Sequence, residues 1–128
     1  VKQINNKTMK ARTMVNELQS QIKEQICNIL VDRYKELHNG QLPNWEDDEE
    51  IVLTENEISE DKVFYLNVDT YNTYDDFKEV ERVAINRYFV TLDYNLYFED
   101  ENKNELDWRE VNIYDLADLL DGLNKIFN

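Results

Sequence analysis

From Arg87 to Glu99 the chain alternates. Tyr88, Val90, Leu92, Tyr94, Leu96 and Phe98 fall on one face, and Arg87, Thr91, Asp93, Asn95 and Glu99 fall on the other, joined there by Phe89 and Tyr97. A period of two over such a length is the pattern of extended backbone with one face in a core, because successive strand side chains point to opposite sides. The stretch reads as one long strand or as two strands joined at Asp93-Tyr94-Asn95. A sheet with one strongly apolar face has to bury it, and the chain supplies two amphipathic helices that can cover it.

The first lies near the N-terminus. Met14, Val15, Leu18, Ile22, Ile26, Ile29, Leu30, Tyr34 and Leu37 recur in steps of three and four, which reads as one helix face. Lys35 and His38 fall in the last turn, and Asn39-Gly40 offers a left-handed cap. A helix over residues 8–39 would be roughly 45 Å long, against a diameter of roughly 35 Å for a compact domain of this size. Its first turns are therefore expected to project. Residues 1–13 hold few apolar anchors beyond Ile4 and Met9 and read as a flexible or projecting segment, with 14–128 as a single domain. The second helix follows Asn112, a good N-cap, with Asp115 in the first turn. Leu116, Leu119, Leu120, Leu123, Ile126 and Phe127 form its apolar stripe.

Between the helices, Ile51-Val52-Leu53 reads as a short strand and residues 55–61 as a turn. Residues 62–69 read as a strand with Phe64, Leu66 and Val68 on one face, and Leu106 to Val111 as the last strand. Tyr71 to Asp76 reads as a loop, and residues 77–86 fit neither period, since Val80, Val83 and Ile85 match no single pattern. Strands in sequence joined by short turns imply antiparallel pairing, and the missing crossover helices argue against a doubly wound sheet. The expected fold is α+β: a long N-terminal helix, an antiparallel sheet of three to five strands and a C-terminal helix, with both helices on one sheet face.

Charge narrows the function. The 128 residues carry a net charge of −14, unevenly spread: residues 1–44 hold seven basic and four acidic side chains, net +3, and residues 45–128 hold seven and 24, net −17. A polyanion of this kind is repelled by a nucleic-acid backbone and by an anionic membrane, so neither is expected as a direct partner. No apolar run reaches the ~20 residues of a membrane span, and no basic stretch leads into an apolar run as in a signal peptide. The single Cys27 excludes an internal disulfide and fits a reducing, cytoplasmic setting. The start at Val1 fits a chain from which an upstream part has been removed.

No catalytic constellation is legible. The lone histidine, His38, sits at a helix end, and Cys27 lies against an apolar helix face. Gly40 and Gly122 are too few for a phosphate-binding loop, and one Cys with one His cannot hold zinc. Asp100, Asn102 and Asn104 imitate the first ligands of a calcium loop, but Glu105 stands where glycine is required and Val111 where glutamate is required. No catalytic residue, cofactor or metal is therefore expected.

What remains is acid beside aromatic residues. Eight Tyr, five Phe and two Trp exceed what the core pattern absorbs, and tyrosine is well suited to protein interfaces. The candidate partner-binding residues are the run Glu46, Asp47, Asp48, Glu49 and Glu50, the group Tyr71, Tyr74, Asp75 and Asp76, and Asp115, Asp118 and Asp121 on the last helix. Three readings follow. In the first, the acidic body occupies a basic protein surface by imitating nucleic-acid charge, as small inhibitors of phages and mobile elements and immunity proteins do. In the second, the chain is an accessory protein that forms a homodimer through its N-terminal helix. In the third, it is an enzyme with a carboxylate site that no motif reveals.

Overall fold

The computed structural model describes residues 10–43, 50–58, 66–74 and 77–127. Helix α1 spans Ala11–Leu37, about 40 Å at 1.5 Å per residue. It ends as its sequence demands. Asn39 and Gly40 both take left-handed backbone (φ 56° and 83°), and the Gly40 amide donates to the Lys35 carbonyl at 2.7 Å. His38 stacks on Tyr34 with ring centroids 3.8 Å apart, an end-of-helix packing role.

Among the described residues, five antiparallel strands follow: β1 (Ile51–Thr54), β2 (Leu66–Tyr74), β3 (Phe77–Val90), β4 (Leu96–Asp100) and β5 (Glu105–Asp107). The long β3 organises them. β1 pairs with Arg87–Val90 and β2 with Phe77–Ile85, so the two lie end to end along one edge of β3. β4 takes the other edge over Ile85–Val90, and β5 lies outside β4. A one-turn helix α2 (Glu55–Ile58) follows β1 directly. It is held by a capping box in which the Glu57 amide donates to Thr54 Oγ1 at 3.3 Å while the Thr54 amide donates to Glu57 Oε1 at 3.1 Å. Helix α3 (Ile113–Phe127) closes the chain, with the Tyr114 amide donating to Asn112 Oδ1 at 2.8 Å.

Both long helices lie on the same sheet face. Ile26, Cys27 and Leu30 of α1 and Leu116, Leu119 and Leu123 of α3 join Ile51, Leu53, Ile85, Tyr88, Val90, Leu96 and Phe98 in one buried cluster. The Tyr88 and Phe98 rings meet edge to face, 5.8 Å apart. The α+β arrangement read from the sequence is therefore the observed one. No helix among the described residues is long and apolar enough to cross a membrane.

Several local expectations are corrected. Residues 71–74 are not a loop but the end of β2, Tyr71 opposite Val80 and Tyr74 opposite Phe77. Over residues 77–84 β3 has a partner on one side only among the described residues, so this part of the pair needs no alternating apolar pattern. The register of β3 against β4 slips between Ile85 and Arg87. One extra residue on β3 inverts its facing, so that Ile85 and Tyr88, of opposite parity, are both buried. Leu92 leaves the core pattern and is 61% exposed, because the chain turns at Thr91–Asn95 with Tyr94 at φ 58°. The last strand ends at Asp107, whose side chain accepts the Arg109 amide at 2.9 Å and starts a 3-10 turn over Trp108–Glu110. Residues 55–58 are helical rather than a plain turn. Residues 11–13 belong to α1, while 1–9 lie outside the described residues.

Candidate functional site

The sheet face turned away from the helices carries aromatic rings set among carboxylates. Cross-strand register places Val52, Phe89, Tyr97 and Asp107 in one row, and Thr54, Arg87, Glu99 and Glu105 in the next. Phe89 and Tyr97 are stacked, with centroids 4.6 Å apart and planes 2° from parallel. Stacked cross-strand aromatics stiffen a sheet where no helix covers it. Tyr97 Oη donates a hydrogen bond to Glu50 Oε2. Burial, this hydrogen bond and the neighbouring Glu105 and Glu99 charges hold the Tyr97 phenol above its ordinary range, so it remains a donor.

Beside the ring lies a cleft of about 360 Å³ lined by Asn95, Tyr97, Glu105, Asp107 and Glu110. With Glu50 and Glu99 this surface presents five carboxylates. The two guanidinium groups near them are engaged: Arg87 Nη1 lies 3.7 Å from Glu99 Oε1, and Arg109 Nη1 lies 3.2 Å from Asp107 Oδ1. Glu105 and Asp107 alternate on one strand face, so they repeat at about 6.8 Å on a rigid backbone. The surface can attract cations around the half-buried Tyr97 ring, while Phe89 beneath it is buried.

A second cleft, about 470 Å³, opens at the β3–β4 turn and is lined by Lys23, Thr91, Asp93, Tyr94, Asn95 and Arg109. Its groups serve the fold. Lys23 Nζ donates to the Tyr94 carbonyl at 2.8 Å and lies 5.2 Å from the Trp108 ring centre, with the Arg109 guanidinium 4.8 Å from the same ring. The Trp108 indole donates to Asn95 Oδ1 at 3.2 Å, and Gln19 Nε2 donates to the Trp108 and Val111 carbonyls at 3.1 and 2.9 Å. These contacts fasten α1 to the turn.

The structure separates the acids that the sequence grouped. Glu50 joins the outer sheet face through Tyr97. Asp118 and Asp121 are exposed on α3 and Asp115 is half-buried in its first turn, all in the helix layer on the other side of the sheet. Glu46, Asp47, Asp48, Glu49, Asp75 and Asp76 lie outside the described residues, and of Tyr71 and Tyr74 the structure describes the strand backbone. Sequence reasoning missed Glu105, Asp107 and Glu110. Their only signal was proximity to Tyr97, which requires the β4–β5 pairing to become visible. Among the described residues no group of three or more His, Cys, Asp or Glu could hold a metal ion. Asp100, Asn102 and Asn104 instead satisfy one another, with Asp100 Oδ1 accepting the Asn102 and Asn104 amides at 2.8 and 2.9 Å.

Comparison with protein-family models, with curated proteins and with solved structures finds no match to this chain.

Proposed function

We propose that this chain is a non-catalytic acidic protein-binding module whose outer sheet face receives a basic surface of another protein. The observation that carries the reading is the Phe89–Tyr97 stack set among Glu50, Glu99, Glu105, Asp107 and Glu110. Tyr97, held rigid on the buried Phe89, offers a fixed contact at low entropic cost, and the carboxylates around it steer a cationic partner into register. Carboxylates repeating along β5 are arranged as a charged backbone would be, which favours a partner that itself binds nucleic acid. An inhibitor or immunity-type role follows from that choice of partner.

The test is parallel affinity capture from extract of the source cell on the wild-type chain and on a Glu99→Gln/Glu105→Gln/Glu110→Gln variant, eluted with rising salt. A basic protein retained by the wild type, released by salt and lost from the variant is the expected result. Equal retention on both columns, or capture of proteins without a basic surface, would remove the basis for the reading. The Asp115→Asn/Asp118→Asn/Asp121→Asn variant tells whether the helix layer contributes, and retention equal to wild type is expected there.

A further inference from the structure

Each of the two glycines follows a residue that can close a cyclic imide through the glycine amide: Asn39 before Gly40, and Asp121 before Gly122. Glycine lacks the Cβ that would hinder the attack. The fold treats the two sites differently. Gly122 lies inside α3, where its amide belongs to the helical ladder, and freeing it means unwinding turns whose Leu119 and Leu123 are buried. Asn39 and Gly40 lie just past the last turn of α1. Residues 36–42 are all exposed, and a Cβ placed on Gly40 would meet nothing within 4 Å. The Gly40 amide is committed to the Lys35 carbonyl at 2.7 Å, and the His38 and Gln41 amides make the neighbouring turn bonds at 3.1 Å each. These bonds hold an exposed helix end. Such ends open at a free energy near zero, whereas a packed helix interior opens only at a large part of the global stability.

We infer that Asn39 is a self-modification site, at which water replaces the side-chain amide and α1 loses its cap. When the last turn frays, the Gly40 nitrogen gives its proton to solvent base and attacks Asn39 Cγ. The new N–C bond closes the imide as the Cγ–Nδ2 bond breaks, and ammonia leaves with a proton from solvent. Water then opens one of the two ring carbonyls. Opening at Cγ gives aspartate, and opening at the main-chain carbonyl gives isoaspartate, with the chain routed through Cβ and Cγ. No oxidant or cofactor enters. Both products put a carboxylate at the negative end of the α1 dipole. The iso linkage also adds a methylene to the main chain, so the Gly40 amide loses its fixed reach to the Lys35 carbonyl. The joint between α1 and the sheet therefore loosens with age.

Peptide mapping by mass spectrometry of the full chain, incubated natively and in urea, tests this. The readout is the ratio of native to unfolded rate at each site. For Asn39, followed by the mass gain of an amide converted to an acid, the native rate should lie within about tenfold of the unfolded one. For Asp121, followed by chromatographic separation of the isoaspartyl peptide, conversion should occur in urea alone. The Asn39 rate should rise with pH, because the deprotonated nitrogen is the nucleophile, and the aged chain should unfold at lower urea than the fresh one. An Asn39 peptide that keeps its mass in the native chain, or equal ratios at the two sites, overturns the proposal. A rate indifferent to pH overturns the imide route, and an unchanged urea midpoint overturns the loss of the cap. None of these outcomes depends on the outer sheet face.

Discussion

The Tyr97 hydroxyl on β4 donates its proton to the carboxylate of Glu50, the residue just before β1, and so closes the outer sheet face across the intervening strand β3. Tyr97→Phe keeps the stack on Phe89 and removes only this donor. A hydrogen bond to a charged, partly buried acceptor makes a net contribution of about 2 kcal/mol. Urea unfolding should show a loss of that size for Tyr97→Phe, and a Glu50→Gln variant should not add to it.

Asp100 is 3% exposed and organises the β4–β5 turn, accepting two backbone amides and the Asn104 side chain, with Lys103 at φ 65°. Asp100→Ala leaves those donors without their acceptor, at a cost of about 2 kcal/mol. The same denaturation assay checks it. Calcium should not alter the stability of the wild type, because the carboxylate is already committed to the turn.

Cys27 is fully buried, its Sγ 3.7 Å from the Tyr94 carbonyl, and burial pushes its thiol up to about 12. The thiol is neutral in the folded chain at any ordinary pH, so a disulfide reagent should react only at the rate of unfolding. The linkage has a definite sign. A pKa raised on folding gives stability that is complete below the unfolded value near 9 and lost as pH rises towards 12. Tyr97, also raised, acts in the same direction. Stability should therefore fall on the alkaline side, and Cys27→Ala should flatten part of that fall, as read by thermal melts from neutral to alkaline pH.

Asp93, at the exposed tip of the β3–β4 turn, is held below the usual carboxylate range, chiefly by the Thr91 hydroxyl. A depressed pKa stabilises the fold above the unfolded value and is lost as pH falls through the folded one. Thr91→Val should return the Asp93 carboxyl towards its ordinary range in a carbon-detected NMR titration. An unchanged titration curve would show that the hydroxyl is not the cause.

Much of the fold is legible in the residues. The α1 stop at Asn39-Gly40, the Asn112 cap and the inward set Tyr88, Val90, Leu96 and Phe98 are local patterns with local physical causes, and each is found. The loop reading at Tyr71–Tyr74 failed because backbone pairing to β3, not side-chain alternation, makes that segment a strand. Of the candidate site, Phe89, Tyr97 and Glu99 were legible as one strand face, and Glu50 as part of the acidic run. Glu105, Asp107 and Glu110 gather there through the pairing of β4 with β5, a contact between segments whose charges carry no periodic signal.

By itself the sequence determined the two long helices, the inward set of the β3–β4 pair, the charge division of +3 against −17, and the absence of any legible catalytic motif, since these depend on residue identity and short-range spacing. Only the tertiary structure decided which acids share a face and which apolar residues of α1 the body covers. Both turn on strand register and helix docking. A bulge of one residue at Ile85–Arg87 inverts a strand, and a third of a turn on a helix separates a core residue from an exposed one.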